Sequence, residues 1–211
     1  RKIKRMVPPF ELPTAVRFND TLVQGERCTL TSPERHGDHL AVLQYTGGTT
    51  GVSKGAVLLN SNLVANILQS EAWYQPALKK IPAGEQIVTV CALPLYHIFG
   101  FNANMMLSLH MGGANILIAN PRDIAGMLKE LTKFKFHSFP AVNTLFNGMV
   151  NHPDFGTVNW SNLAISIGGG SAVQSGVAKA WLEKTGCPIV EGYGLSETSP
   201  SATCNPVDSK A

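Results

Sequence analysis

Between Asp38 and Gly194 short apolar runs alternate with segments of helical period, and nothing else in the sequence constrains the fold as strongly. "DHLAVLQY" (38–45), "AVLL" (56–59), "QIVTVCAL" (86–93), "ANILIA" (114–119), "FHSF" (136–139), "LAISI" (163–167) and "PIVEGYG" (188–194) read as strands, the last of these as the final strand. Between them fall helical patterns at 60–73, 99–111, 120–135, 141–150 and 171–186. Asn60 or Ser61 is the expected cap of the first, and Gly112 with Gly113 the expected stop of the second. In 120–135 Asn120 is the expected cap, Pro121 the first helical residue, and Asp123 a favourable charge in the positive first turn. Ser171 is the expected cap of 171–186 and Gly186 its stop. Such alternation predicts an α/β fold, a mostly parallel sheet with helices on both faces.

In sheets of this kind ligands bind beyond the carboxyl ends of the strands. Three loops stand there: 46–55, 168–171 and 192–199. The first lies within "YTGGTTGVSKG" (45–55). Its glycines let backbone N–H groups converge on one anion; Thr46, Thr49, Thr50 and Ser53 add hydroxyls, and Lys54 a mobile positive charge. The loop has no acidic residue, which suits a nucleotide phosphate. It is neither a Walker A loop, since Lys54 follows Ser53 and precedes Gly55, nor a GxGxxG turn. A flexible connection between two strands has less reason to combine three threonines, a lysine and no acid.

Composition narrows the class. With 44% hydrophobic and 15% charged residues the chain can bury a sizeable core and is no disordered segment. The formal charge of +3 is concentrated: "RKIKR" (1–5) holds four of the 17 basic residues, leaving 13 against 14 acidic ones. No nucleic-acid partner is expected. "RKIKR" reads as a solvated linker, or more sharply as weak peripheral contact with anionic lipid on the inner face of a membrane. Residues 1–37 read as a Pro-rich linker or surface strip, and 38–211 as the core. Cys28, Cys91, Cys187 and Cys204 are scattered, so neither a disulfide framework nor a zinc site is expected, and a reducing, cytoplasmic location fits. His36 and His39 read as a surface pair.

"YTGGTTGVSKG" resembles the phosphate-loop signature of the adenylate-forming superfamily (acyl-CoA synthetases, luciferases and peptide-synthetase adenylation domains). "GYGLSET" (192–198) is similar to the same superfamily's Tyr-Gly-x-Thr-Glu motif and "LPLYHIFG" (93–100) to its Tyr/Phe-His segment, in the family's order. "NPRDI" and "AVNTLFN" resemble in particular the bacterial long-chain fatty acid–CoA ligases.

The resemblance implies part of a large N-terminal domain that uses ATP, Mg²⁺, a fatty acid and coenzyme A. It implies that Thr46, Gly47, Gly48, Thr49, Thr50, Gly51, Ser53 and Lys54 grip the β- and γ-phosphates. Tyr193 would stack on adenine beside Gly194, while Gly168, Gly169 and Gly170 would let adenine and the acyl chain approach the backbone. Ser196, where the family usually has Thr, keeps a hydroxyl for the α-phosphate. Glu197 would ligate Mg²⁺ with Thr46 as a second oxygen. His97 would lie near the acyl carboxylate. Phe101, four residues on and on the same helical face, would either gate an acyl tunnel or belong to the core; Gly100, Met105 and Met106 would suit a lipid channel. A family member is more than twice this length, and no ribose-binding Asp motif, hinge or adenylation lysine is found downstream. The chain is therefore expected to be a fragment that does not form acyl-CoA alone. An adenylating enzyme for an aromatic or amino acid, and a non-catalytic phosphate-binding module, remain alternatives.

Overall fold

The computed structural model describes residues 11–46 and 53–208. The chain divides into two units, 1–35 and 36–211. In the first, helix α1 (Phe18–Gly25) buries none of its residues.

The second unit opens on an antiparallel hairpin, β1 (Leu40–Thr46) and β2 (Lys54–Leu59), whose register runs from Leu40 opposite Leu59 to Thr46 opposite Lys54. Helix α2 follows directly (Asn60–Leu78). It starts at the expected place, but the side chain that serves its first turn is Asn62, whose Oδ1 accepts from the Leu59 N–H at 2.9 Å. It also continues past Trp73, through Pro76.

Strands β3 (Val88–Cys91), β4 (Ala114–Leu117), β5 (Ser138–Ala141), β6 (Ile165–Gly168), β7 (Ile189–Gly194) and β8 (Ser201–Cys204) form a six-stranded sheet in the order β4-β3-β5-β6-β7-β8. All pairs are parallel except β7 with β8, which is antiparallel. Gly194 is therefore not the end of the sheet. The turn through Ser196 folds "SATC" (201–204) back along β7, and its polar, half-exposed pattern does not advertise an edge strand.

Helix α3 (Leu107–His110) continues a π-wound segment, Phe99–Met106, where a plain apolar helix was expected. Asn102 and Asn104, polar residues in an apolar run, are buried here. Their amides donate to the Leu63, Ser199 and Val90 carbonyls. Helix α4 (Ile124–Leu131) begins later than Asn120: Asp123 is its cap, its Oδ1 accepting from the Gly126 N–H at 2.9 Å. Helix α5 spans Asn143–Val150, and α6 spans Ser175–Thr185. The expected Ser171 cap gives way to Gln174, whose own N–H donates to Asn143 Oδ1 at 2.9 Å. Gly186 ends α6 as expected, at φ +71°.

Alternation along the parallel strands sends side chains to two faces. Phe139 and Ala141 of β5 pack with Met127, Leu128 and Leu131 of α4, Phe146 and Met149 of α5, and Trp181 of α6. Ile165 and Ile167 of β6 pack on the opposite face with Ile67 and Tyr74 of α2 and Leu107 of α3. Both faces thus carry helices, as the alternation predicted. At the centre of the first layer the fully buried Trp181 ring meets Phe146, Trp160 and Phe139 at centroid distances of 4.7, 5.1 and 5.6 Å. Its Nε1–H donates to Ser166 Oγ at 2.9 Å, so the indole's one polar atom is satisfied. All four cysteines are free thiols.

Candidate functional site

A cavity of about 530 Å³ opens where β6 and β7 end and where the π-wound segment follows β3. Each wall comes from a different part of the sequence. Thr46 closes the end of β1; His97 and Phe99 come from the segment after β3; Gly168, Gly169 and Gly170 from the end of β6; Tyr193, Gly194, Ser196 and Glu197 from the end of β7. All of these but Phe99 were singled out from the sequence, and they converge on one space.

The glycines at 168–170 have reasons internal to the protein. A Cβ on Gly168 would strike the Val173 side chain, and one on Gly169 would come within 2.9 Å of the Phe99 ring. Gly170 adopts φ +76°, which a side chain disfavours. Close packing and turn geometry thus account for all three before any ligand is considered. Gly194 is held more tightly still, because a Cβ there would run into the Pro200 carbonyl.

Tyr193 is 63% exposed, its ring free to meet a flat ligand. Glu197 is exposed at the rim, is the one carboxylate on the lining, and makes no hydrogen bond or ion pair among the described residues. His97 is exposed, lines the cavity and uses Nδ1 to accept from the Phe99 N–H at 3.2 Å. Thr46 Oγ1 donates to the Lys54 carbonyl at 3.4 Å. Lys54 and Ser53 are exposed and do not line the cavity. Gly47, Gly48, Thr49, Thr50 and Gly51 lie outside the described residues.

Phe101 is not brought to this space. Its amide donates to the His97 carbonyl at 2.9 Å, yet its side chain packs with Leu58, Leu63 and Ile98. The bond between them spans four residues, but His97 lies ahead of the helical segment that carries Phe101, so the helical one-face rule does not apply to the pair. Met105 and Met106 are likewise absent from the lining, as is Gly100, which sits tight against the Pro94 carbonyl.

One whole wall was not anticipated. Asn66, Gln69, Ser70, Trp73 and Tyr74 line the cavity from a single stripe of α2. Their spacing of three and four is that of one helical face, and Asn66 beside the buried Ile67 was the available signal. Trp73 Nε1–H donates to the Asn205 carbonyl at 2.8 Å, tying α2 to the end of β8. Tyr74 is buried with its hydroxyl 3.2 Å from Ser138 Oγ; burial pushes the phenol well above its ordinary range, with the Ser138 hydrogen bond opposing. The buried part of the lining is mainly apolar, with Tyr74, Leu107 and Ile167 beside Trp73 and Phe99, while His97, Tyr193 and Glu197 on its exposed part are polar.

This fold, with a cavity at the strand ends that is polar where exposed and mainly apolar where buried, defines a class. Residues 7–211 match the model of the AMP-binding enzyme family, and the chain belongs to that family. It is 48% identical over 206 residues to the long-chain-fatty-acid–CoA ligase of Salmonella typhimurium, covering 98% of this chain and 36% of that protein. The Bacillus subtilis enzyme of the same name is 34% identical over 190 residues, covering 89% of this chain and 33% of its own length. The chain thus spans about a third of the curated relatives it matches. Among solved structures, ATP-bound MatB from Rhodopseudomonas palustris superposes with a TM-score of 0.71 at 27% identity, over 86% of this chain and 34% of that one. The anthranilate CoA ligase AuaEII, in complex with anthranoyl-AMP, shares the fold with a TM-score of 0.79 at 22% identity, over 96% and 38%.

Proposed function

We propose that this chain is the ATP- and acyl-binding portion of a long-chain fatty acid–CoA ligase. The observation that carries the reading is the convergence of Thr46, His97, Tyr193, Ser196 and Glu197 on one cavity whose buried lining is mainly apolar. The sequence likeness to fatty-acid ligases selects the substrate class.

In the reaction a fatty acid carboxylate oxygen attacks the α-phosphorus of ATP. The bond to the bridging oxygen breaks, and acyl-adenylate and pyrophosphate form; the thiol of coenzyme A then displaces AMP. The nucleophile is already an anion, so the first step needs no general base. It needs two anions held in line and the transition-state charge offset. The lining answers that need with hydroxyls and an imidazole rather than a nucleophilic triad. Ser196 is the donor to the α-phosphate, Tyr193 the surface for adenine, and His97 the group facing the acyl carboxylate. Thr46 and Lys54, with the loop between them, hold the β- and γ-phosphates.

A magnesium ion fits the donor set. Glu197 is an unpartnered carboxylate at the rim, Thr46 offers a hydroxyl, and no group of three or more potential metal-binding side chains exists among the described residues. One carboxylate completed by phosphate oxygens is usual for this ion, whose charge would offset that of the phosphates. We take residues 1–37 as a Pro-rich linker or surface strip preceding the 38–211 core. No helix among the described residues is long and apolar enough to cross a membrane. We place the enzyme in the cytoplasm, with "RKIKR" available for peripheral contact with anionic lipid.

The deciding experiment measures pyrophosphate release by the whole enzyme across acids of increasing length. Release only with aromatic or amino acids overturns the lipid reading. By itself the chain is expected not to form acyl-CoA, and ATP- and CoA-dependent ligation by these 211 residues would refute that.

A further inference from the structure

The segment Leu195–Ser201, which carries Ser196 and Glu197, is irregular: a short 3-10 turn, then Ser199 at φ +67° in the left-handed region. Four successive carbonyls, from Thr198 to Ser201, face inward here, and each must find a donor. The Pro200 carbonyl accepts from the Leu195 N–H at 3.0 Å and from the Thr198 hydroxyl. The other three are taken by two asparagines far away in the sequence. Asn66 Nδ2 donates to the Thr198 carbonyl at 3.3 Å and the Ser201 carbonyl at 2.8 Å, while its Oδ1 accepts from the Ser201 N–H at 3.4 Å. Asn102 Nδ2 donates to the Ser199 carbonyl at 2.7 Å and to the Leu63 carbonyl at 3.3 Å. Both side chains are almost fully buried, at 4% and 1% exposure.

We infer that Asn66 and Asn102 are positioning residues that hold the Ser196–Glu197 turn in register with the rest of the cavity. Asn66 also borders the cavity, but the bonds of both asparagines go to backbone groups, from the two elements that also carry Trp73 and Phe99. The turn therefore takes its place from α2 and the π-wound segment rather than from β7 alone. A primary amide is the one common uncharged side chain that can donate twice and accept at a single point, which the two carbonyls and one N–H around Asn66 demand. An aspartate of the same shape would set a carboxylate against two carbonyl oxygens.

The inference rests on the proposed function for its consequence and not for its geometry, so two readouts separate them. Hydrogen exchange is followed in the wild-type protein and in Asn66→Ala, Asn66→Asp and Asn102→Ala, with thermal unfolding alongside. Amides of 196–201 are expected to exchange roughly fivefold faster or more in all three variants, while β5, β6 and α6 keep wild-type protection. The isosteric Asn66→Asp should not restore the turn; restoration would assign Asn66 to packing and overturn the inference. Unchanged exchange at 196–201 overturns it, as does loss of the whole fold in both alanine variants. Calorimetric titration with ATP in magnesium should show binding weakened roughly fivefold or more in the same variants. If the wild-type protein binds no ATP, the nucleotide reading fails while the exchange result still decides the positioning.

Discussion

Thr46 and Lys54 are the last facing pair of the β1–β2 hairpin, and only the first of them lines the cavity. The Thr46 hydroxyl donates to the Lys54 carbonyl, so the two ends of the glycine-rich loop are fastened together at its base. In the proposed function Thr46 and the exposed Lys54 are the described residues that meet the outer phosphates. Lys54→Ala should weaken ATP roughly tenfold or more, the scale of a lost charge-assisted hydrogen bond, and leave AMP nearly unchanged. Paired calorimetric titrations check this; equal losses for ATP and AMP would sink the assignment to the outer phosphates.

Among the described residues the Glu197 side chain has no hydrogen-bond or ion-pair partner to lose. Glu197→Gln should shift stability by no more than about 0.5 kcal/mol, as expected for an exposed side chain without contacts. Pyrophosphate release by the whole enzyme should nonetheless fall by roughly a hundredfold, with more magnesium needed for half-maximal rate. A variant as active as wild type at low magnesium removes Glu197 from the metal site.

Trp181 anchors the layer under α4, α5 and α6. Trp181→Ala leaves a cavity among Phe139, Phe146 and Trp160 and should cost about 3–5 kcal/mol in urea unfolding. Trp181→Phe keeps most of the ring volume but strips Ser166 Oγ of its donor, for a loss of roughly 1–3 kcal/mol. A smaller loss for the alanine variant than for the phenylalanine one would contradict this packing.

At the opposite end of the sheet Glu85 accepts from Lys135 Nζ and from His137 Nε2, at 2.7 and 2.8 Å. Lys135 first, then His137, hold its carboxyl below the ordinary value near 4.5. A depressed carboxyl contributes stability that is complete above the unfolded value and disappears as pH falls through the folded one. The difference between wild type and Glu85→Gln should thus be constant above about pH 4.5 and shrink below it. A difference that grows on acidification would mean the pair is misassigned.

Gly194→Ala drives a methyl group into the Pro200 carbonyl, which is backbone and cannot swing aside. The expected cost is about 1–3 kcal/mol, with faster exchange at 196–201 and weaker ATP binding. Wild-type thermal stability in this variant would show that the turn yields more easily than its contacts suggest.

Much of this was legible in the sequence because it depends on local rules. Apolar runs of four to six residues followed by capped helical periods can only alternate in a layered sheet. Glycine-rich segments at strand ends mark where a ligand can approach. Helix starts were read less well: α4 is capped by the Asp123 side chain, whereas at the start of α6 Gln174 makes no side-chain cap bond and its N–H is held by Asn143 of α5. The return strand β8 and the π-wound segment escaped detection because each is defined by partners: β8 by the edge of β7, and the π turn beside buried Asn102 and Asn104.

By itself the sequence determined the order of strands and helices from β1 to β7, the loops that follow those strands, and Thr46, His97, Tyr193, Ser196 and Glu197 among the polar residues around the cavity. The tertiary structure alone decided that α2 forms a wall, that Phe101 turns away into the core, and that Asn66 and Asn102 hold the turn of Ser196 and Glu197. The reason is physical. A motif reports local chemistry, whereas a hydrogen bond across 135 residues, such as Asn66 to the Ser201 carbonyl, exists only once packing has brought both ends together.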